Sequence, residues 1–172
     1  MPADVNIRPH RLDDADALLA AIHESMAELT PWMPWCHPGY GMDDARGFLE
    51  TAIAGRRDGT QFDFAVLADG AYAGACGINR IDRLNRVANL GYWLRSPLAG
   101  QGITPRAVRL LIDWTLAHTD LVRIEIVAAV GNTRSQRVAE KVGAVREAVL
   151  ANRTMTAAGT SAAVMYAVLR EI

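Results

Sequence analysis

The sequence predicts an α/β domain, α+β in some schemes, in which helices flank a mixed β-sheet. Two amphipathic helical patterns come early, and the chain changes to strand-like runs from about residue 62. Helices and strands then follow one another to the end, which indicates a mixed sheet. The 172 residues are 51% hydrophobic and 22% charged, which is enough to bury one core. Because no repeat or linker divides them, we expect a single domain over residues 1–172.

The first half begins with a short strand, predicted over residues 5–8. Residues 12–29 have an Asp-rich start and apolar side chains at helical spacing, so they form the first helix. Residues 30–41, "TPWMPWCHPGYG", contain three prolines and two tryptophans and cannot be regular structure; we call them the tryptophan loop. A second amphipathic helix follows, capped by an aspartate of "MDDAR" and ended by Gly59.

The middle of the chain predicts a hairpin, a strand and a helix. Residues 62–81 form the hairpin, with Asp69-Gly70 as its turn, and residues 87–95 form the strand. The helix begins at about residue 105, with Thr104 as its cap and Pro105 at its first position, where the missing N–H costs nothing. Its predicted buried face contains Val108, Leu111, Ile112 and Thr115.

The last elements are a central strand, a short helix and a final strand. Residues 122–130, "VRIEIVAAV", are a near-continuous apolar run that is typical of a buried strand. The helix after it has Asn132 well placed as N-cap and Gly143 at its C-terminal end. The apolar residues 160–172 predict the last strand.

The charge balance argues against a general nucleic-acid binder. The net charge is −1 and the isoelectric point is near 6.4, whereas such a binder needs a basic surface. Positive charge is nevertheless concentrated late in the chain, which leaves a local anion site open there. The residues concerned are Arg123, Arg134, Arg137, Lys141, Arg146 and Arg153.

The cysteines and the N-terminus indicate the compartment. Cys36 and Cys76 form neither a disulfide framework nor a metal-ligand spacing, so no metal is expected. The N-terminus lacks the charged and apolar regions of a signal peptide, and no apolar run approaches membrane-spanning length. We therefore expect a cytoplasmic protein that does not enter a membrane.

The segment "LAGQGITP" places two glycines at the start of a helix. A helix N-terminus exposes unpaired backbone N–H groups and the positive end of the helix dipole, and a loop without side chains lets an anion approach them. Gly100 and Gly102 could therefore hold a phosphate or pyrophosphate, or could form an ordinary turn. The P-loop motif is absent from the chain, and this segment lacks the third glycine of the dinucleotide fingerprint.

The longer stretch "NLGYWLRSPLAGQGITPRAVRLLIDW" resembles the acyl-CoA-binding segment of the GNAT superfamily of N-acetyltransferases. Gly100 and Gly102 match the family motif, whereas Ala99 and Thr104 depart from it. Three further stretches resemble the branch of bacterial ribosomal-protein N-terminal acetyltransferases, and their order and spacing agree over nearly the whole chain. They are "GYWL", "AAVGNTRSQRVAEKVGA" and "LTPWMPW", the last resembling a substrate loop.

The resemblance implies a mostly antiparallel mixed sheet with about four flanking helices, in which strands 4 and 5 splay apart. The pantetheine arm of acetyl-CoA would lie in the gap and pair with free backbone groups as a strand would. Arg134 and Arg137 could contact its phosphates or could simply be solvated. The residues expected to bind acetyl-CoA are Tyr92, Trp93, Leu94, Gly100, Gln101, Gly102, Ile103, Thr104, Asn132, Arg134 and Arg137.

Acetyl transfer to an amine requires a neutral amine, a stabilised oxyanion and a proton for the leaving thiolate. The resemblance assigns Ser135 to the CoA sulfur, although a serine three residues after Asn132 could instead bond to its own helical turn. Asn89 stands where many family members have a catalytic glutamate, and an asparagine can only position a water. The other candidate bases, each also compatible with an ordinary solvent-facing role, are Glu24, Glu28 and Glu125.

The tryptophan loop is the predicted acceptor site. Its proline-rich, non-periodic setting favours Trp32 and Trp35 as pocket walls, with His37 on the same loop, and packing in a core or lid is the alternative. Cys36 is not expected to be a nucleophile. The family uses direct attack, and adjacent loop residues rarely form a working nucleophile–base pair.

The resemblance therefore implies an acetyl-CoA-dependent N-acetyltransferase that acts on a primary amine by direct attack. The expected acceptor is a peptide or protein N-terminus, such as that of a ribosomal protein. The alternatives are a small-molecule amine (a polyamine, an amino acid or an antibiotic), a longer acyl donor, or a weakly catalytic CoA-binding module. A homodimer is expected because dimers are frequent in this branch and the apolar C-terminal strand could pack across an interface.

Overall fold

The computed structural model describes residues 2–171 and contains a seven-stranded sheet with two helices on each face. The strands are β1 (Val5–Pro9), β2 (Phe62–Ala68), β3 (Ala71–Asp82), β4 (Val87–Leu94), β5 (Arg123–Ala129), β6 (Val145–Thr156) and β7 (Gly159–Leu169). The helices are α1 (Ala15–Leu29), α2 (Met42–Asp58), α3 (Ile103–His118) and α4 (Thr133–Lys141). The tryptophan loop connects α1 to α2 and has no regular structure, as predicted.

The sheet is mixed and mostly antiparallel, which confirms the predicted fold class. Its strand order is β1-β2-β3-β4-β5-β7-β6, and β4 with β5 is the one parallel pair among the described strands. That pair joins only residues 87–89 to residues 123–125, whereas β4 stays paired with β3 as far as Leu94. The second half of β4 therefore has a strand on one side only, and this is the expected splay.

Apolar faces on the helices hold this sheet. The predicted buried face of α3 is confirmed, because Val108, Leu111, Ile112 and Thr115 are all buried. On the opposite face, α1 and α2 bury Leu18, Ile22 and Leu49. Burying a side chain of this size contributes about 1.5–3 kcal/mol. Packing on both faces thus fixes the position of β4, whose splayed end forms the site described below.

The start of α3 differs from the prediction. The helix begins at Ile103, and Gly102 is its N-cap. Thr104 is therefore the second helical residue rather than the cap, and Pro105 is the third rather than the first. The helix starts early because Gly102 adopts a φ of 73°, which turns the chain into the helix without a side-chain cap.

Helix α2 also has a glycine cap. Gly41 is its N-cap, and the predicted aspartate contributes from inside the helix, since Asp44 accepts the Gly41 backbone N–H at 2.8 Å. The helix ends at Gly59 and the hairpin turns at Asp69-Gly70, both as predicted. The C-terminal end of α4 before Gly143 is likewise confirmed.

Strand β6 is not among the predicted strands. It is an edge strand of the sheet, and most of its residues are exposed or half-exposed. It therefore lacks a clear alternation of apolar and polar residues. β7 lies between β5 and β6. The C-terminal strand that was expected to reach a dimer interface thus already has a neighbour on each side. No helix within residues 2–171 is long and apolar enough to cross a membrane.

Candidate active site

A cleft of about 480 Å³, here the α3 cleft, opens at the splayed end of β4 between the starts of α3 and α4. Of the residues expected to bind acetyl-CoA, Gln101 alone does not line it; its side chain is exposed and donates to the Pro97 carbonyl at 3.3 Å. Ser135 lies in the same wall. The lining residues that were predicted are Tyr92, Trp93, Leu94, Gly100, Gly102, Ile103, Thr104, Asn132, Arg134, Ser135 and Arg137.

The glycine loop leaves backbone donors open to this cleft. Gly100 and Gly102 have φ angles of 82° and 73°, a left-handed conformation that residues with a side chain rarely adopt. Because no side chain caps α3, the N–H groups of its first turn and its positive dipole end stay unmasked. Lys141, which belongs to the basic cluster noted in the sequence but not to the residues expected to bind acetyl-CoA, lines the cleft beside Arg134 and Arg137. This arrangement can bind phosphate groups.

The start of α4 is tied to β4 across the cleft. Asn132 accepts the backbone N–H of Ser135 at 3.1 Å, which confirms the predicted cap. The Tyr92 hydroxyl donates to the Ser135 carbonyl at 2.8 Å and lies 3.0 Å from the Ser135 Oγ. Burial raises the pKa of Tyr92 to about 12, so its phenol stays protonated at neutral pH. The Ser135 hydroxyl therefore lies beside the Tyr92 phenol of β4, to which it can donate, since the Tyr92 proton is directed at the Ser135 carbonyl.

A second cavity of about 410 Å³, here the tryptophan cavity, lies beneath α1, α2 and the tryptophan loop. Its wall is largely apolar and aromatic and includes Leu18, Ile22, Trp35, Tyr40 and Phe48. Met33, Tyr92 and Trp93 line this cavity and the α3 cleft alike, so the two adjoin at the end of β4. A group held at this junction can be reached from both sides.

The structure separates the residues predicted for the acceptor site. Trp35 lines the tryptophan cavity, and its ring lies 6.2 Å from that of Trp93. Trp32 lines the α3 cleft instead and packs against the backbone of Gly131. His37 is exposed and lines neither cavity.

The candidate bases from the sequence are all engaged with other side chains. Asn89 donates to the Oδ1 atom of Asn79 at 2.9 Å, and it is Asn79 that lines the tryptophan cavity. None of the three glutamates lines that cavity. Glu24 pairs with Arg95 at 2.6 Å, Glu28 accepts from Ser96 Oγ at 2.9 Å, and Glu125 pairs with Arg123 at 2.8 Å.

A carboxylate that sequence reasoning missed does line the tryptophan cavity. Asp63 is a partly buried residue of β2, and the Nε2 atom of Gln61 donates to its Oδ2 at 2.8 Å. Burial raises the pKa of Asp63 to about 6. Nothing in "FDFAVLA" marks this aspartate, because its surroundings come from the pairing of β2 with β3.

Both cysteines are buried free thiols. Burial raises the pKa of Cys36 and of Cys76, so both thiols are protonated at neutral pH. A protonated thiol is a poor nucleophile, which agrees with the expectation that Cys36 takes no part in the chemistry.

The chain is similar to known proteins both in sequence and in fold. Residues 4–145 match the family model described as an acetyltransferase (GNAT) domain. The chain is 31% identical, over 147 residues, to a putative ribosomal N-acetyltransferase, YdaF, of Bacillus subtilis (strain 168); the match covers 83% of this chain and 79% of the relative.

Two solved structures share the fold. RimL, a ribosomal L7/L12 alpha-N-protein acetyltransferase in complex with coenzyme A, has a TM-score of 0.90 and 22% identity, covering 96% of this chain and 93% of that one. The microcin C7 self-immunity acetyltransferase MccE, in complex with acetyl-CoA and AMP, has a TM-score of 0.91 and 22% identity, covering 97% and 93%.

Proposed function

Since the chain belongs to the GNAT acetyltransferase family, it is an acetyl-CoA-dependent N-acetyltransferase, and we propose that its acceptor is the N-terminal amine of a peptide or protein. The name of the Bacillus subtilis relative favours a ribosomal protein, which would place the reaction in the cytoplasm. The observation that carries the proposal is the junction of the two cavities at Tyr92 and Trp93. There an amine in one cavity can meet an acetyl group held in the other.

The α3 cleft fits acetyl-CoA by its own chemistry. The bare loop at Gly100 and Gly102 and the uncapped end of α3 offer N–H donors to a pyrophosphate. Arg134, Arg137 and Lys141 offer positive charge to the phosphates. The free side of β4 at residues 92–94 offers backbone groups to the pantetheine amides. Acetyl-CoA supplies the acetyl group as a thioester, and these residues hold it in place.

We assign to Ser135 and Tyr92 the role of delivering a proton to the leaving thiolate. Both line the α3 cleft, and their hydroxyl oxygens are 3.0 Å apart. A proton that leaves the Ser135 hydroxyl can be replaced from the Tyr92 phenol once the phenol proton turns from the Ser135 carbonyl to the Ser135 Oγ. Asn89 is assigned a positioning role, because its amide holds the Oδ1 atom of Asn79 and leaves the Asn79 Nδ2 group to bind a water or the acceptor.

A small amine is the second candidate acceptor. The tryptophan cavity, at about 410 Å³, lies within the range of roughly 300–1,000 Å³ that small-molecule sites occupy. Its aromatic lining suits a compact cation. A peptide N-terminus also fits this cavity, provided that only its first residues enter.

Release of free thiol from acetyl-CoA distinguishes these acceptors. The purified protein is mixed with acetyl-CoA and, separately, with N-terminal peptides of the host's ribosomal proteins, the same peptides with a blocked N-terminus, spermidine and lysine. We expect release with at least one free peptide and none with its blocked form. Release with spermidine or lysine alone would show that the acceptor is a small amine. The absence of thiol release with every amine of the panel would contradict the proposed acceptors.

A further inference from the structure

Asp63 is an anion in an aromatic cavity, and its carboxylate forms no ion pair with the part of the chain that the structure describes. The side-chain hydrogen bond that it accepts comes from the neutral amide of Gln61. A partly buried carboxylate without an ion-pair partner is unfavourable, so a cation that enters the cavity gains from pairing with it.

The strand register brings this carboxylate close to β4. Asp63 pairs with Gly77 of β3, and Gly77 pairs with Gly91 of β4, so the three residues form one row across the sheet. A Cβ atom on Gly77 would overlap the Oδ1 atom of Asp63, so the carboxylate lies over the backbone of β3. Adjacent strands are about 4.8 Å apart. The carboxylate is therefore about one strand spacing from Gly91, which directly precedes the junction residue Tyr92.

Asp63 is the one anionic side chain among the described residues that line the tryptophan cavity. Burial raises the pKa of Asp63, and the charge of Arg56 of α2 opposes that rise. The Arg56 guanidinium nevertheless donates to the Asp63 backbone carbonyl, at 3.5 Å, and lies over the ring of Phe64, 4.3 Å from the ring centroid, rather than pairing with the carboxylate. α1 contributes apolar side chains to the cavity. Burial raises the pKa of the three remaining groups, which are therefore neutral at pH 7: Cys76 of β3, Tyr40 of the tryptophan loop and Tyr92 of β4.

We propose that Asp63 binds the acceptor as a primary ammonium ion and removes the proton that blocks its attack. The inference rests on the proposed function, because it assigns a base to that reaction. An α-amino group has a pKa of about 8, so it reaches the site mostly protonated at pH 7. The carboxylate supplies the counter-ion, and the rings of Trp35, Tyr40 and Trp93 supply cation–π contacts.

The protons and bonds of this scheme balance. The first proton of the ammonium passes to Asp63 and from there to solvent. The nitrogen then forms its bond to the acetyl carbon as the bond between carbon and sulfur breaks. The nitrogen loses its second proton as the amide forms, and the thiolate gains one through Ser135. The net products are the amide, the free thiol and one proton in solution.

The pH dependence of Asp63→Asn tests this role. The wild-type enzyme requires an ionised Asp63 and a protonated amine, so its kcat/KM for a peptide α-amine rises through the Asp63 pKa of about 6. It falls again above about pH 8, which gives a bell-shaped profile. The variant uses only amine that is already neutral in solution. Its kcat/KM at pH 7 should be about 100-fold lower, should climb up to about pH 8, and should approach the wild-type value at pH 9.

The matched control is Asp58→Asn, the same change at an exposed position at the end of α2, which should leave the profile unchanged. The dissociation constant of acetyl-CoA, measured by calorimetry, should stay within about twofold in both variants, because Asp63 does not line the α3 cleft. Gly77→Ala provides a second variant, since the new Cβ atom displaces the carboxylate without removing it. It should show the same loss at pH 7.

The outcomes separate the two proposals. A wild-type enzyme that acetylates peptides, together with an Asp63→Asn variant that is equally active at pH 7, overturns the role of Asp63 alone. An equal loss at pH 7 and pH 9 also overturns it, because that pattern indicates a structural defect. If neither variant folds, a wild-type profile without an acid limb near the Asp63 pKa overturns it. A wild-type protein that releases no thiol with any amine overturns the proposed function and the role of Asp63 with it.

Discussion

The Ser135 hydroxyl is available for chemistry because Asn132, and not Ser135, caps the first turn of α4. Asn132 already accepts the backbone N–H of Ser135, so that hydrogen bond of the first turn is satisfied. The Ser135 Oγ lies instead beside the Tyr92 phenol, which burial keeps protonated. A hydroxyl beside a protonated phenol is suited to a leaving group that departs as an anion.

We therefore expect Ser135→Ala to lower kcat with a peptide acceptor by roughly 100-fold, in the range that general acids contribute. Its acetyl-CoA dissociation constant should change by less than about twofold, because backbone groups and cations provide most of the binding. Ser161→Ala is the control, since that hydroxyl bonds to the adjacent Ala162 carbonyl on β7. An unchanged kcat in Ser135→Ala, measured by thiol release, would remove Ser135 from the reaction.

Residues differ in how far their place can be predicted from sequence. Asn132 and Ser135 lie three positions apart in one helix start, so a local pattern predicts their contact. The place of Asp63 depends on Gly77, fourteen positions later in the chain but opposite in the sheet. Trp32 and Trp35 stand three positions apart yet line different cavities, because the loop between α1 and α2 is irregular. Local spacing carries no information about such contacts.

The glycine loop before α3 is the element whose conformation most directly shapes the α3 cleft. Gly102→Ala forces a side chain into a residue with a φ of 73°, which costs about 1–2 kcal/mol. The loop can relieve this strain by changing shape, and the backbone donors are then displaced. We expect the dissociation constant of acetyl-CoA, measured by calorimetry, to rise about tenfold, which corresponds to a loss of about 1.4 kcal/mol.

Gly70→Ala is the matched control for that variant. Gly70 has a φ of 79° in the hairpin between β2 and β3, and an added Cβ atom would meet no neighbour at either glycine. The two substitutions should therefore lower the free energy of unfolding by a similar amount, while Gly70→Ala leaves acetyl-CoA binding unchanged. Equal affinities in the two variants would contradict the assignment of the loop to the pyrophosphate.

Elements with one strong local signal are the ones that the sequence predicts. The Asp69-Gly70 turn and the buried stripe of α3 are of this kind. β6 has bulges beside Arg146 and Leu150 and large exposed stretches, so its residues follow no simple alternation. The sequence predicts too late a start for α3, because Thr104 and Pro105 fit a cap and a first helical position better than Gly102 does, whereas the folded chain uses the glycine as its cap. An uncapped terminus is the arrangement that an anion site requires.

Folding of the whole molecule buries a histidine, His10, that is neutral at pH 7. His10 is 5% exposed, neither ring nitrogen has a hydrogen-bond partner within the described residues, and Asp14 lies 3.8 Å away, too far for a hydrogen bond. Burial lowers the pKa of His10 to about 4, from an ordinary value of 6.5. As the pH falls, the unfolded chain takes up this proton first. The protonation of His10 in the unfolded chain therefore lowers the free energy of unfolding between about pH 6.5 and 4, by roughly 3 kcal/mol in total.

The test is the difference between wild type and His10→Phe, measured by urea unfolding from pH 7.5 to pH 4.5. The total pH dependence is not diagnostic, because the raised pKa of Asp63 acts with the opposite sign and favours the folded state as the pH falls. Relative to wild type, His10→Phe should become progressively more stable below about pH 6.5. The exposed His118→Gln is the control and should run parallel to wild type. A constant difference between wild type and His10→Phe would show that His10 is not the titrating group.

The whole fold brings the α3 cleft and the tryptophan cavity together at the end of β4, and we assign acetyl transfer to that junction. Its most direct test is to incubate the protein with acetyl-CoA and a ribosomal-protein N-terminal peptide, and to measure the peptide product by fragment-ion mass spectrometry alongside thiol release. We expect one acetyl group on the α-amino nitrogen for each thiol released, at a rate that Ser135→Ala lowers. Thiol release that leaves the peptide unmodified, or acetyl groups placed on lysine side chains instead, would contradict this assignment.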